Sequence, residues 1–314
     1  MGNEGPAPAF SFIPHSGIPH SCRHSPFGFV VADNEDGCKL GFHTAGDGYR
    51  WSYRRYAAHG VMRASVVCVH GIQSHAGWYG HSCRRLAEAG FEVSFLDRRG
   101  SGHNETARGD TPSFRRLLDD IAEYIRAQRS QADHPFFVTG ISWGAKLAVA
   151  LTRRHTGLAD GLVLVAPGFC PRVGPTPRER LGIAWARMVD PTRLFPVPLN
   201  EPELFTATPQ GQELIRNDPL ALRHATARFF VESARLDWYG RFAARHISVP
   251  VLTLLAEKDR IIDNARTRSY VARFPAPDKQ VIEYPGAHHT LEFEPDPEPF
   301  IRDIRNWLGG RPFN

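Results

Sequence analysis

The chain has 314 residues, 42% of them hydrophobic and 23% charged, which is enough for one large core or two ordinary domains. No apolar run approaches the ~20 residues needed to cross a bilayer, so no membrane span is expected. The formal charge of +5 comes almost wholly from arginines scattered through helical and loop segments; without a basic stripe interleaved with aromatics, no nucleic-acid partner is expected.

The opening Met1-Gly2-Asn3-Glu4-Gly5-Pro6 has neither the basic start nor the apolar stretch of a secretory leader, and Pro6 breaks a myristoylation motif. Residues 1–26 are rich in Pro, Gly, Ser and His without periodicity and read as a loosely draped arm. His15, His20 and His24 have no metal-ligand spacing and read as ordinary polar residues, so no metal is expected. Gly46-Asp47-Gly48 separates two runs, Gly37 to Ala45 and Tyr49 to Ala58, as a hairpin turn would. Strand and helix signals then alternate, the pattern of a parallel sheet with helices on both faces. Strands are predicted near 64–69, 91–97, 135–141, 160–166, 250–256 and 279–284. Helices are predicted near 80–89, 113–130, 143–155, 264–273 and 297–308. Cys22, Cys38, Cys68, Cys83 and Cys170 show no paired spacing, which favours reduced thiols and a cytoplasmic location.

The alternation breaks between about Pro167 and His246, a strand-poor, proline-rich stretch. Its apolar residues recur at helical spacing, first Leu181, Trp185 and Met188, then Ala225, Phe229, Phe230 and Ser233. The expected organisation is an arm (1–26), a first core segment (27–167), a helical cap (168–246) and a second core segment (247–314). Most of the cap aromatics are expected to pack the cap itself. A few, with Trp185 and Phe229 as candidates, are expected to line an apolar pocket.

Four segments carry chemistry. The β-branched run Ala64-Ser65-Val66-Val67-Cys68-Val69 ends in His70-Gly71-Ile72, where a glycine admits close backbone approach and the Ile72 N–H is offered to a ligand. Gly140-Ile141-Ser142-Trp143-Gly144 lies between a strand and a helix, the context in which G-x-S-x-G is a nucleophile elbow. There Ser142 is the candidate nucleophile and the Trp143 N–H a second oxyanion donor. A serine hydroxyl needs a base and an orienting carboxylate. The strand 250–256 ends in Glu257-Lys258-Asp259-Arg260, making Asp259 the candidate acid. The strand 279–284 ends in Pro285-Gly286-Ala287-His288-His289, whose histidine pair holds the candidate base. Gly100-Ser101-Gly102 lacks the third glycine of a dinucleotide fingerprint and reads as a loop beside the site. No P-loop pattern occurs.

The motifs His70-Gly71-x-x-x-His75-x-Gly77-x-Tyr79, Asp97-x-x-Gly100-x-Gly102, the elbow, Asn217-Asp218-Pro219-Leu220, Asp259-Arg260-Ile261-Ile262-Asp263 and Gly286-Ala287-His288-His289 resemble one family. It is the monoglyceride lipase and lysophospholipase-like branch of the α/β-hydrolase superfamily, grouped with the S33-type serine aminopeptidases. The resemblance covers roughly residues 50–308. It implies an α/β-hydrolase fold, a mostly parallel eight-stranded sheet flanked by helices with an inserted helical cap. It also selects His289 over His288 and Asp259 over Asp263, and it puts His75 near the pocket as a substrate contact or an equally expected structural histidine. Trp143, where the family usually has Met, and Lys146, where small residues are common, depart from the pattern.

The expected activity is cofactor-independent hydrolysis of a carboxylic ester, monoacylglycerol- or lysophospholipid-like or another small acyl ester, through an acyl-enzyme on Ser142. The partner is then a small-molecule ester with an apolar acyl group, and contact with a lipid surface stays open. A thioesterase or acyltransferase, a proline-type aminopeptidase, and a receptor-like protein that binds without turnover are the alternatives. Ser at the elbow argues against dehalogenase and epoxide-hydrolase relatives, which carry Asp there. The aminopeptidase would need acids for a free amine, for which only the isolated Glu201, Glu203 and Glu213 offer themselves.

Overall fold

The computed structural model describes residues 32–33, 37–130 and 132–310; the expected arm and its three histidines lie outside the described residues. A two-residue strand, β1 (Ala32–Asp33), pairs antiparallel with β2 (Lys39–Thr44), which turns back at Gly46-Asp47-Gly48 into β3 (Arg50–Tyr56). Gly48 takes φ +82°, the left-handed conformation that the turn needs. Downstream come β4 (Ala64–Val69), β5 (Phe91–Leu96), β6 (Phe136–Ile141) and β7 (Gly161–Val165). A small separate pair, β8 (Leu194–Pro196) and β9 (His224–Thr226), precedes β10 (Val251–Ala256) and β11 (Lys279–Tyr284). The helices are α1 (Gly80–Glu88), α2 (Phe114–Arg129), α3 (Trp143–Arg154), α4 (Pro177–Val189), α5 (Pro209–Asn217), α6 (Ala227–Ala243), α7 (Asn264–Ala272) and α8 (Glu298–Gly309).

Among the described residues the large sheet runs β1-β2-β3-β5-β4-β6-β7-β10-β11, nine strands made of the eight expected ones and the short β1. All neighbours from β5 onward are parallel. The inner strands β4, β5, β7 and β10 are buried at every residue, and β4, β7 and β10 accordingly read as near-continuous apolar runs, whereas β5 alternates because its buried Glu92 and Ser94 are met by Arg55 and Tyr124. Parallel connections are right-handed. The step from β4 to β5 goes one way along the sheet and the steps to β6 and β7 go the other. Their helices therefore cover opposite faces: α1 packs with α8, and α2 with α3.

That reversal positions the site. β4 and β6 are neighbours, yet the chain leaves their C-terminal ends toward opposite sides of the sheet. The gap left between the two departing loops is the topological switch point, where open α/β sheets bind ligands. Both loops singled out in the sequence, Gly71-Ile72 after β4 and Ser142-Trp143 after β6, border it.

Between β7 and β10 lie α4, β8–β9, α5 and α6, with α6 packed on α3 and α4. A full capping box, Thr176 with Glu179, starts α4. The helical spacing read from Leu181, Trp185 and Met188 is real, but its orientation is the reverse of the packing or lining role expected. These residues are 74%, 60% and 73% exposed, and α4 buries Ile183 and Ala186 instead. An amphipathic stripe marks one face of a helix without saying what covers it. Among the described residues, no helix is long and apolar enough to cross a membrane, and Cys38, Cys68, Cys83 and Cys170 are free thiols.

Arg99, in the loop after β5, ties three parts of the core together. Its guanidinium donates to both oxygens of Asp120 on α2 at 2.8 Å and to Asp47 of the hairpin turn at 2.9 Å, and lies 4.1 Å over the Tyr49 ring. Arg99→Gln leaves the buried Asp120 with only Arg116 as an ion-pair partner. Its expected cost is about 3 kcal/mol, read as a lower urea midpoint at unchanged slope. A midpoint equal to that of the parent would show that the network adds no stability.

Candidate active site

Ser142 sits between β6 and α3 with φ 51° and ψ −118°, one of three non-glycine residues with positive φ among those described. Such a conformation is strained and persists only where its surroundings over-determine it. Here they do. Ser142 N–H donates to Val165 O (2.9 Å), and Ser142 O accepts from Gly168 N–H (2.8 Å). Both flanking glycines are sterically required. A Cβ on Gly144 would lie 2.2 Å from Val69 O, and one on Gly140 would lie 2.5 Å from the Ala145 Cα. The backbone of α3 is thereby pressed against the end of β4, and the turn can lift Ser142 off the sheet.

The structure brings Ser142, His289 and Asp259 together. His289 Nε2 is 2.9 Å from Ser142 Oγ, and His289 Nδ1 is 2.7 Å from Asp259 Oδ2. The other Asp259 oxygen accepts from the Ile261 and Ile262 N–H groups, both at 2.8 Å. Asp259 and His289 are each only 4% exposed, so the pair is shielded from bulk water. Lys258 N–H donates to Ala287 O (2.8 Å) and Gly286 N–H to Glu257 Oε2 (2.6 Å), joining the two loops that carry them. The neighbours in sequence do other work. His288 meets Glu294 through its N–H (2.8 Å) and its ring (3.2 Å). Asp263 caps α7 by accepting from Arg266 N–H (3.0 Å).

Ile72 and Trp143 line the same cavity as Ser142. Among the described residues neither backbone N–H has a hydrogen-bond partner. The direction of the Ile72 N–H follows from the peptide behind it, because the C=O and N–H of a trans peptide point opposite ways. Gly71 O faces His70 Nδ1 (2.7 Å) and Arg98 Nη2 (3.4 Å). His70 Nε2 accepts from Arg98 N–H (3.2 Å), so the ring proton is on Nδ1 and donates to Gly71 O. Burial, then the neighbouring Arg98, holds the His70 pKa well below its usual value, which keeps the ring neutral. Arg98 also donates to Ile72 O and lies 4.9 Å over the Trp143 ring and 5.4 Å over that of Phe229. Burial pulls its pKa down to about 9, leaving it charged at neutral pH. The doublet Arg98-Arg99 thus serves both the core and the site, a role with no motif to announce it.

The cavity has a volume of about 720 Å³ between the sheet and the α4–α6 segment. Of the pocket residues expected from sequence, none lines it. Phe229 is 1% exposed, packed 5.3 Å from the Trp143 ring, and Trp185 faces out; Ile183, Phe230 and Trp238 line the cavity instead. Helical spacing located the right turns of α4 and α6 but missed the lining faces, because a turn presents four directions and only packing selects one. The two departures noted near the serine both contact α6. Trp143 Nε1 donates to Ser233 Oγ (2.8 Å), and Lys146 Nζ pairs with Asp237 (2.6 Å).

His75 takes the structural role. Its Nδ1 accepts from Gly77 N–H (3.0 Å), so Nε2 carries the proton and donates to Asp218 Oδ2 (3.0 Å). Trp78 Nε1 donates to the same oxygen (2.5 Å), and Asp218 Oδ1 accepts from Leu220 N–H (2.8 Å). The Asp-Pro-Leu motif is therefore a latch between the inserted segment and the loop after β4. Burial opposes ionisation of Asp218, but the hydrogen bonds from His75 and Trp78 outweigh it and hold the pKa at about 2, down from 3.8.

A folded-state pKa below the unfolded value means that the Asp218 contribution is fully present above pH 3.8 and is lost as pH falls toward about 2. The stability gap between the wild type and Asp218→Asn is accordingly expected to be constant above that window and to narrow through it, as measured by urea titrations at stepped pH. A gap that does not change with pH would show that the ionised carboxylate is not the stabilising form.

Comparison with known proteins places this geometry. A family model described as "Serine aminopeptidase, S33" matches residues 60–296. The monoacylglycerol lipase of Mycolicibacterium smegmatis is 26% identical over 252 residues, covering 78% of this chain and 88% of its own length. Among solved structures, the monoacylglycerol lipase of Paleococcus ferrophilus superposes with a TM-score of 0.74 at 24% identity, covering 82% of this chain and 98% of its own. A highly thermostable carboxyl esterase from Bacillus coagulans, in complex with glycerol, also gives 0.74, at 17% identity and with 87% and 98% coverage. The fold is that of the α/β-hydrolases.

Proposed function

Because the chain belongs to the serine aminopeptidase S33 family of α/β-hydrolases and is related to monoglyceride lipases and esterases, we propose that it is a serine esterase acting on acyl esters through Ser142. The observation that carries this reading is the unbroken series of hydrogen bonds from Ser142 Oγ through His289 to Asp259, with Asp259 held by two backbone N–H groups.

In this reading Ser142 Oγ attacks the ester carbonyl as its proton passes to His289 Nε2. Asp259 accepts from Nδ1–H, fixing the tautomer that leaves Nε2 free to take that proton, and its charge stabilises the imidazolium that forms. The oxyanion accepts hydrogen bonds from the Ile72 and Trp143 N–H groups, the latter at the positive end of α3. Collapse of the intermediate breaks the C–O bond, and His289 gives its proton to the departing alkoxide. Water, deprotonated by the same histidine, then cleaves the acyl-enzyme and returns Ser142 to its starting state.

Esters suit the site better than peptides. The one carboxylate lining the cavity, Asp237, is paired with Lys146. Glu203 and Glu213 face Arg216, and neither they nor Glu201 line the cavity, so among the described residues no acidic cluster is placed to hold a free amine. The segment between β7 and β10 acts as a cap, with Ile183, Val197, Leu199, Phe230 and Trp238 offering an apolar wall for an acyl chain. The outward stripe of Leu181, Trp185, Met188 and Val189 on α4 suits contact with an aggregated lipid substrate.

Two sets of variants test this. Ser142→Ala is expected to abolish labelling by a fluorophosphonate and to lower p-nitrophenyl ester turnover by roughly three or more orders of magnitude without changing the fold. Likewise His289→Ala should lose most activity where His288→Ala loses little, and Asp259→Asn should be slow where Asp263→Asn is mild. Equal losses within either pair would remove the assignment. Phe230→Ala should change the preferred acyl length, with discrimination between chain lengths shifting by ~1–3 kcal/mol while Ser142 stays labelled. An unaltered chain-length profile would mean that the acyl group lies elsewhere.

A further inference from the structure

Beside the main cavity lies a second lobe of about 410 Å³; Lys146, Pro171, Asp237 and Arg241 line both, and the second adds Arg266 and Arg273. With Arg172 and Arg180 from the main cavity, six cationic side chains meet one carboxylate, an excess equal to the formal +5 of the entire chain. The remainder of the sequence is thus charge-balanced, and the basic excess is concentrated around the mouth of the candidate site. The scatter of arginines along the sequence hid this, because these residues come from four separate stretches of chain, at 146, 172–180, 241 and 266–273.

Their partners leave the charge uncompensated. Asp237 is committed to Lys146. Among the described residues, none of the five arginines forms an ion pair. Arg172 donates to Asp259 O (3.3 Å), Arg180 to Pro175 O (2.9 Å), and Arg273 lies 4.6 Å over the Tyr270 ring. Neutral acceptors orient a guanidinium but leave its field intact. All five arginines are exposed, so their summed field reaches an entering anion through solvent, over about a Debye length, and is weakened by salt. Lys146 lies one helical turn, about 5.4 Å along α3, beyond Ser142, so the basic lobe begins beside the nucleophile.

Resting on the esterase reading, we infer that the substrate is an anionic acyl ester whose carboxylate or phosphate, carried away from the scissile carbonyl, is bound in the lobe by Arg241 and Arg266. A neutral monoacylglycerol would leave these arginines unused. An acyl ester with an anionic terminus would place its apolar segment against Phe230 and Ile183 and its charge among the arginines.

The test uses three p-nitrophenyl esters with acyl chains of matched length, ending in a carboxylate, a phosphate monoester, or the neutral methyl ester of the same carboxylate. At low ionic strength kcat/KM for an anionic ester should exceed that for the neutral one by about tenfold, and the ratio should fall toward one at about 0.5 M NaCl. The arm with the larger ratio identifies the headgroup. The ratio should collapse in the double variant Arg241→Gln/Arg266→Gln and survive in Arg241→Lys/Arg266→Lys. A wild-type ratio of one or less, or a ratio that persists in the Gln variant, overturns the inference while neutral-ester turnover and Ser142 labelling keep the esterase reading. Absence of both turnover and labelling would instead remove the esterase reading and the inference with it.

Discussion

Everything at the site depends on the strained turn at Ser142. A serine at positive φ is unfavourable on its own, and what holds it is the close approach of α3 to β4, which only glycine at 144 allows. The same approach brings the N-terminus of α3 beside the loop after β4, so the N–H groups of Ile72 and Trp143 come to line one cavity. Strain, helix dipole and hydrogen-bond donors are thus consequences of one packing contact. The contact can form because β4 and β6 are neighbours whose connections diverge.

Around that fixed point the structure adds ties from distant stretches of chain. The acid and histidine loops are joined to each other by backbone hydrogen bonds, and the acid loop is joined to the start of the inserted segment, where Arg172 N–H donates to Ile261 O (2.8 Å). Thr290 N–H donates to Phe205 O (2.8 Å), bringing the middle of the insert to the histidine loop. The insert is consequently in contact with every part of the site: α6 through Trp143 and Lys146, Phe205 through Thr290, and Asp218 through His75 and Trp78. The two residues beside the nucleophile that depart from the family pattern both bond to α6, which is also held by Phe114 N–H to Glu232 and by Tyr270 OH to Gly240 O.

Arg98 and Arg99 show how little sequence distance says about role. Arg99 is satisfied by two carboxylates and a tyrosine ring in the core. Among the described residues, Arg98 meets no carboxylate through a hydrogen bond; it meets carbonyls and the faces of two aromatic rings. It places a positive charge against the Gly71 and Ile72 carbonyl oxygens, at the far end of the peptide from the Ile72 N–H.

Much of this protein was legible in the sequence by itself. Strand and helix positions followed from the length and periodicity of apolar runs, since a strand buried on both faces is mostly apolar. The hairpin followed from its glycines. The order of the serine, acid and histidine loops followed from the resemblance and from their places after strands, and the structure brings the three side chains into hydrogen-bond contact. What the sequence did not contain was direction and company. It could not tell that the Leu181, Trp185 and Met188 stripe faces outward, that Phe229 is buried while Phe230 lines the cavity, or that His75 is held by Asp218. Nor could it tell that five arginines from three stretches of chain surround one cleft. Local pattern specifies which residues share a face. Which partner that face meets, and which charges are left without one, is decided only when segments far apart in the chain are packed against each other.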